Sequence, residues 1–306
     1  MDFGDEVVLR SGSLSLTLAP GLGGGITRFW IDDGAPCELF RRAARDALEK
    51  REPLELASYP LVPFSNRIDR GRFSFEGRDF EIVPNLPPHP HPLHGHGWRM
   101  AWSVTAQDGS SATLELVYAG SDWPSAYRAT QRLELTPQAL SVRIALENAG
   151  PRAMPAGIGM HPYLDRTPQS RLTANVTGVW LADAACLPRE HVPVPSTWDF
   201  AERRLVGELE LDNCFSGWDG AAIVEWPERA TRLSISADPI FDHLVVYVPR
   251  ERDFFCVEPV THANDAIHLA ARGVPNTGHR VLNPGETLAG EVRFRVDASA
   301  RPTPKP

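Results

Sequence analysis

Cysteine is scarce in this chain of 306 residues: Cys37, Cys186, Cys214 and Cys256 are the only four, widely separated and without a CxxC pair. That spacing excludes a disulfide framework and a zinc knuckle, and it points to reduced thiols in a cytoplasmic protein. Positive charge is also in deficit, with 31 Lys and Arg against 39 Asp and Glu and a formal net charge of -8. A polyanion-binding surface needs a positive field, so a nucleic-acid partner is not expected. The strongest basic cluster, Arg41, Arg42, Arg45, Lys50 and Arg51, is interrupted by Asp46 and Glu49 and reads as a solvated face. There is no long apolar run, and the opening MDFGDEVVLRSG is acidic where an export signal would be basic. Neither a membrane association nor export is expected.

Familiar catalytic signatures are missing as well. The glycines at 21 and 23–25 lack dinucleotide-binding spacing, and HExxH, GxSxG and an aspartate-rich calcium loop are absent. His89, His91, His94 and His96 are dense enough to suggest a metal site, but Pro90 and Pro92 disturb the alternation that would put them on one strand face. No metal is therefore assigned.

What is present is alternation. Leu14, Leu16 and Leu18 alternate with small polar residues, and similar segments recur at 72–75, 78–83, 100–106, 112–118, 127–135 and 140–147. Residues 244–248 and 254–257 read as more deeply buried strands, and 290–296 as a last alternating one. Helical periodicity is confined to residues 40–56, where a short helix ending by Pro53 is predicted. Twenty-four glycines and 28 prolines punctuate the chain without forming a linker. Many short strands with turn signals and no divider predict an all-β fold, a sandwich or barrel, as one domain over 1–306.

Three segments place ionisable groups among glycines, prolines and aromatics: Pro92–Trp98, Gly157–Tyr163 and Phe254–His262. Glu258 interrupts an apolar strand, where a carboxylate resists ionisation and is costly to bury without purpose. His161 is held extended by Pro162. His94 and His96 sit beside glycines, where they could contact a ligand or merely satisfy a turn.

These segments resemble the aldose 1-epimerase (galactose mutarotase-like) family. Asn66-Arg67-Ile68 followed by Gly71-Arg72-Phe73 and Gly77, Leu93-His94-Gly95, His161-Pro162-Tyr163, Leu211–Phe215 and Cys256–Pro259 match its motifs in order across nearly the whole chain. The resemblance implies a large antiparallel β-sandwich with a cleft for a monosaccharide substrate, and interconversion of its α and β anomers without a cofactor. It implies Glu258 as general base, His161 as general acid and His94 as a charge-stabilising donor, with Arg67 and Asp212 holding hydroxyls. Trp98 and Trp218 are candidate stacking faces or core residues, and His96 is a candidate for hydroxyl recognition. Pro259 stands where the galactose-specific members more often have glutamine, which places the sugar preference in question. A related subgroup takes anionic sugars such as hexose 6-phosphates or sulfoquinovose, for which Arg28, Arg72 and Arg99 are candidate cations. A noncatalytic carbohydrate-binding protein would keep the sandwich but not need the acid–base pair. A glycosidase would need two carboxylates, for which Asp212 and Glu258 are available. Nothing in the sequence fixes the oligomeric state.

Overall fold

A computed structural model describes residues 6–298; the acidic positions Asp2 and Asp5 lie outside that range. The longest strands follow directly from the alternating pattern. Tyr127–Thr136 and Ala139–Asn148 pair from Tyr127↔Asn148 to Thr136↔Ala139 around Pro137-Gln138. Their inward leucines, valines and isoleucines are buried while the intervening residues meet solvent. They sit in a nine-stranded antiparallel sheet running from the edge strand Arg204–Leu205 to the other edge at Ser103–Gln107.

A second sheet packs against it. In chain-neighbour order it contains Pro188–Pro193, Gly178–Ala182, Leu211–Ser216, His243–Val248, Phe254–Val260, Gly159–Met160 and Pro60–Leu61, with Tyr163–Asp165 also paired to Phe254–Val260. Leu244, Val246, Phe255 and Val257 from this sheet share one apolar cluster with Leu140, Val142, Ile144 and Phe294 of the first. The fold is thus an all-β antiparallel sandwich, as the sequence predicts. Each fully buried aliphatic or phenyl side chain contributes about 1.5–3 kcal/mol to holding the sheets together. A smaller sheet, Val7–Ser11, Leu14–Ala19, Gly25–Ile31 and Cys37–Glu38, flanks them.

The strand Phe254–Val260 is buried on both faces along its whole length. One face meets the sandwich core. The other meets a second cluster that includes Tyr59, Leu61, Leu93, Trp98, Tyr163 and Cys256. This second face carries the site.

The predicted helix over 40–56 is a correction. Only Ala47–Lys50 is α-helical, followed by a single 3₁₀ turn at Pro53–Glu55. The preceding backbone spends its donors elsewhere: Arg41 N–H goes to the Tyr163 carbonyl, Ala43 to Thr27 and Ala44 to Glu55. Helix propensity loses here to pairing with neighbouring strands. The strand expected at 100–106 begins only at Ser103. A short helix that the sequence reading omits, Ala266–Ala271, follows the site strand. No helix among the described residues is long and apolar enough to cross a membrane, and all four cysteines are free thiols.

Candidate active site

Strand register explains why residues far apart in sequence meet. Asp212 pairs with Tyr247 and Cys214 with Val245; Tyr247 pairs with Cys256 and Val245 with Glu258. Because side chains alternate faces, Asp212, Cys214, Val245, Tyr247, Cys256 and Glu258 all project to the side opposite the sandwich core. Two rows result, Cys214–Val245–Glu258 and Asp212–Tyr247–Cys256, so Asp212 and Glu258 sit two strands apart on one surface.

The same register brings in His161. Gly159 pairs with Val260 and Tyr163 with Cys256, so the position facing Glu258 is 161. Pro162 lacks the N–H that would continue the ladder there. His161 Nε2 lies 3.4 Å from Glu258 Oε1, with both side chains buried. The imidazole stacks on Tyr163 with centroids 4.5 Å apart and lies 4.9 Å from the Tyr59 ring. Tyr59 and Tyr163 are themselves joined by a 2.9 Å hydroxyl hydrogen bond.

Burial pushes Glu258 well above the usual carboxylate range, helped by the negative charge of Asp212 and opposed by the Arg67 guanidinium. Burial draws His161 down to about 3, and Arg41 adds to that effect. Both shifts favour the uncharged forms, so burial favours a shared proton on the carboxyl over the imidazole.

His94 is fixed by the loop that carries it. Its backbone N–H donates to Asn66 O at 2.8 Å, and its Nδ1 accepts from the Asn66 N–H at 3.0 Å. Burial keeps the ring neutral. An Nδ1 that accepts leaves the proton on Nε2, so His94 is set as a donor. Gly95 makes the approach possible: a Cβ there would lie 2.3 Å from the Val62 carbonyl oxygen, and its φ is +69°. Asn85 grips the same loop, donating to the Leu93 carbonyl and accepting the Leu93 N–H, each at 2.8 Å.

These groups line a cleft of about 260 Å³ whose wall includes Asn66, Arg67, His94, His161, Asp212 and Glu258. It is a space for a small ligand rather than a polymer groove. Arg67 donates to Asn66 Oδ1 at 2.8 Å. Burial raises Asp212, against the pull of Arg67, and the Cys186 thiol donates to its carboxylate at 3.7 Å. The aromatic wall is made by Tyr163, Tyr247 and Phe254.

Several residues singled out in the sequence stand elsewhere. His96 is turned away from the cleft, stacked 4.2 Å from Tyr118, with Nδ1 2.9 Å from the Tyr127 hydroxyl and Nε2 3.4 Å from Asp122. Trp98 is completely buried behind the wall, donating to the Leu93 carbonyl at 2.9 Å. Trp218 belongs to the sandwich core, its Nε1 donating to Ala221. Neither tryptophan offers a face to a ligand, because each indole N–H is spent on a nearby carbonyl and each ring on packing. Of the cations suggested for an anionic sugar, Arg28 pairs with Glu38 and Arg72 with Glu81. Arg99 lies over Trp98 and donates to Asn85 O. None lines the cleft.

Arg41 and Arg252 do line it. The Arg41 guanidinium lies 3.7 Å over Tyr163 and 4.5 Å over Phe254, and it donates to the Leu54 and Leu56 carbonyls. Charge patterning alone assigns Arg41 to a solvated face, because it cannot show that aromatic rings from residues 163 and 254 arrive beneath it. The four clustered histidines also disperse: His89 and His94 reach the cleft, while His91 accepts the Arg70 N–H and His96 bonds Tyr127.

Comparison with known proteins gives a consistent result. The aldose 1-epimerase family profile matches residues 5–295. The uncharacterized protein YphB of Escherichia coli (strain K12) is 32% identical over 303 residues, covering 94% of this chain and 98% of that one. A crystal structure from E. coli K12, provisionally assigned as an aldose 1-epimerase, has a TM-score of 0.86 at 30% identity, covering 96% of this chain and 99% of that chain. A galactose mutarotase-like protein from Clostridium acetobutylicum shares the fold, with a TM-score of 0.83 at 18% identity and coverage of 96% and 95%.

Proposed function

Because the chain belongs to the aldose 1-epimerase family, we propose that it is a mutarotase that interconverts the α and β anomers of a free aldose. The observation that carries this reading is the His161–Glu258 pair, opposed at 3.4 Å on a buried cleft wall. Opening a cyclic hemiacetal requires one proton to leave and one to arrive. The Glu258 carboxylate takes the C1 hydroxyl proton, the C1–O5 bond breaks as the C1 carbonyl forms, and O5 takes a proton from His161. Rotation about C1–C2 and reversal of both transfers give the other anomer.

The pair's proton inventory suits this cycle. In the reactive form the proton sits on His161, and after opening it sits on Glu258, the distribution that burial favours. Net charge in the cleft is the same in both, so the buried site never has to absorb a new ion. Arg67, which favours the ionised Glu258, helps reach the reactive form. His94, set as an Nε2 donor, stabilises charge on oxygen at the reacting end. Arg67 and Asp212 hold ring hydroxyls, and Tyr163, Tyr247 and Phe254 supply the apolar wall. Neither a cofactor nor a metal enters these steps.

Polarimetry on freshly dissolved single anomers, across hexoses and pentoses, tests the activity. Accelerated equilibration without any new sugar supports the reading; no acceleration with any aldose contradicts it. A second reading, an anionic aldose, is favoured by Arg41 and Arg252, which line the cleft without a carboxylate ion-pair partner among the described residues. On that reading Arg252→Gln raises KM for an anionic aldose but not for its neutral counterpart.

A further inference from the structure

Packed against the His161–Glu258 pair, outside the cleft lining, is a third side chain, Cys256, which with them supplies the donor atoms of a transition-metal site. Cys256 and Glu258 are two residues apart on one strand, hence on the same face, and His161 is opposite them. One ligand atom from each of His161, Cys256 and Glu258 lies within 4.8 Å of the others, and all three residues are buried. The mechanism above leaves Cys256 without a task.

We propose that these three residues form an inhibitory site for Zn²⁺, which silences the enzyme by occupying both proton-transfer groups. The inference rests on the mutarotase reading for its consequence, though not for the binding itself. Zinc bonds of about 2.0–2.3 Å set ligand atoms roughly 3.3–3.8 Å apart in a tetrahedron. The 3.4 Å His161–Glu258 separation already falls in that range. Cys256 lies within 4.8 Å of both, so metal binding draws its sulfur inward.

The donor set selects the ion. A thiolate and an imidazole prefer zinc over magnesium or calcium, which seek all-oxygen shells. Three protein ligands leave a fourth position, and the cleft beside His161 and Glu258 supplies water to fill it. On binding, the Cys256 thiol and the Glu258 carboxyl each give a proton to solvent, and lone pairs of the thiolate, the carboxylate and the His161 imidazole go to the metal. Neither group can then accept or deliver a proton, so inhibition is reversible by a chelator. Sugar and metal compete for one place.

The metal alone is the first probe. Zn²⁺ titrated into chelator-treated protein against a chromophoric indicator is expected to bind with one tight equivalent per chain. Co²⁺ in its place is expected to give a thiolate-to-cobalt charge-transfer band and the visible bands of tetrahedral coordination. Cys256→Ser is expected to remove the thiolate band and weaken zinc binding at least about tenfold, by loss of a ligand. In the same variant, whatever mutarotation remains is expected to be insensitive to zinc. His161→Gln, read by absorbance only, is expected to weaken binding while the thiol remains, which guards against a Cys256 variant that fails to fold. Absence of a thiolate–cobalt band in the native protein overturns the site, as does unchanged zinc affinity in folded Cys256→Ser. A protein that binds zinc through Cys256 but equilibrates no sugar would retain the site and lose the mutarotase reading.

Discussion

At the scale of single residues, the site stores an electrostatic cost that its chemistry uses. Glu258 in the folded protein is raised well above 4.5 by burial. The sign of the linkage follows: a group with a raised folded pKa leaves stability intact below its unfolded value and erodes it as pH rises toward the folded value. Glutamine has the same shape and does not titrate. Glu258→Gln is therefore expected to match the native protein near pH 4 and to exceed it by about 1–3 kcal/mol at neutral pH and above, measured by urea unfolding across pH. A variant less stable than native at pH 8 would contradict the account of a buried, strained carboxyl.

On the proposed mechanism, the same two shifts set the pH dependence of activity. The pair works while it holds one proton. Acid adds a second as pH falls through the lowered His161 value, about 3, and alkali removes the last as pH rises through the raised Glu258 value. On the proposed mechanism a plot of kcat/KM is expected to have its acid limb near the lowered His161 value and its alkaline limb above the ordinary carboxylate range. An alkaline limb at the ordinary carboxylate value of 4.5 would contradict the account of a raised Glu258.

At the scale of elements, loops and strand register divide the work of building the site. Glu258 and His161 stand out locally as a lone carboxylate in an apolar strand and a histidine before proline, but the roles expected of them come from the resemblance to the family's motifs. Their juxtaposition was not legible in the sequence, since it depends on the pairing of residues 159 and 163 with 260 and 256. His96 shows the limit most clearly. It shares the His-Gly pattern of His94, yet one turns into the cleft and the other stacks on Tyr118, because the loop reverses at Gly95. Gly95→Ala tests that loop: a Cβ 2.3 Å from the Val62 oxygen at φ +69° is expected to cost at least about 1–3 kcal/mol in stability. It should also lower kcat by displacing His94. An alanine variant with native stability and rate would show that the reversal is not what holds the imidazole.

At the scale of the whole molecule, the all-β class was readable from period-two alternation, which leaves sandwich and barrel open; the sandwich is what the family resemblance adds. Arg41 and the false helix over 40–56 were not readable, because tertiary partners decided both: the segment bonds to Thr27, Glu55 and Tyr163, and the guanidinium finds rings from distant strands. The catalytic strand depends on the core behind it. Phe255, wholly buried, packs in the sandwich core, while Phe254 beside it lines the cleft. Phe255→Ala is expected to cost about 3–5 kcal/mol in denaturant unfolding, with activity at low temperature falling less than stability. A loss well under 2 kcal/mol would mean that the two sheets are not joined through this strand.

The central claim, that Glu258 and His161 trade one proton with a sugar ring, is tested most directly by anomer exchange. The exchange rate between α and β forms, followed by magnetisation-transfer NMR at equal protein concentration, compares the native chain with Glu258→Gln. The account expects rapid exchange in the native protein and a loss of at least about 10²–10⁴-fold in the variant, the usual contribution of a general base. Equal exchange rates in the two proteins, both folded, would contradict it.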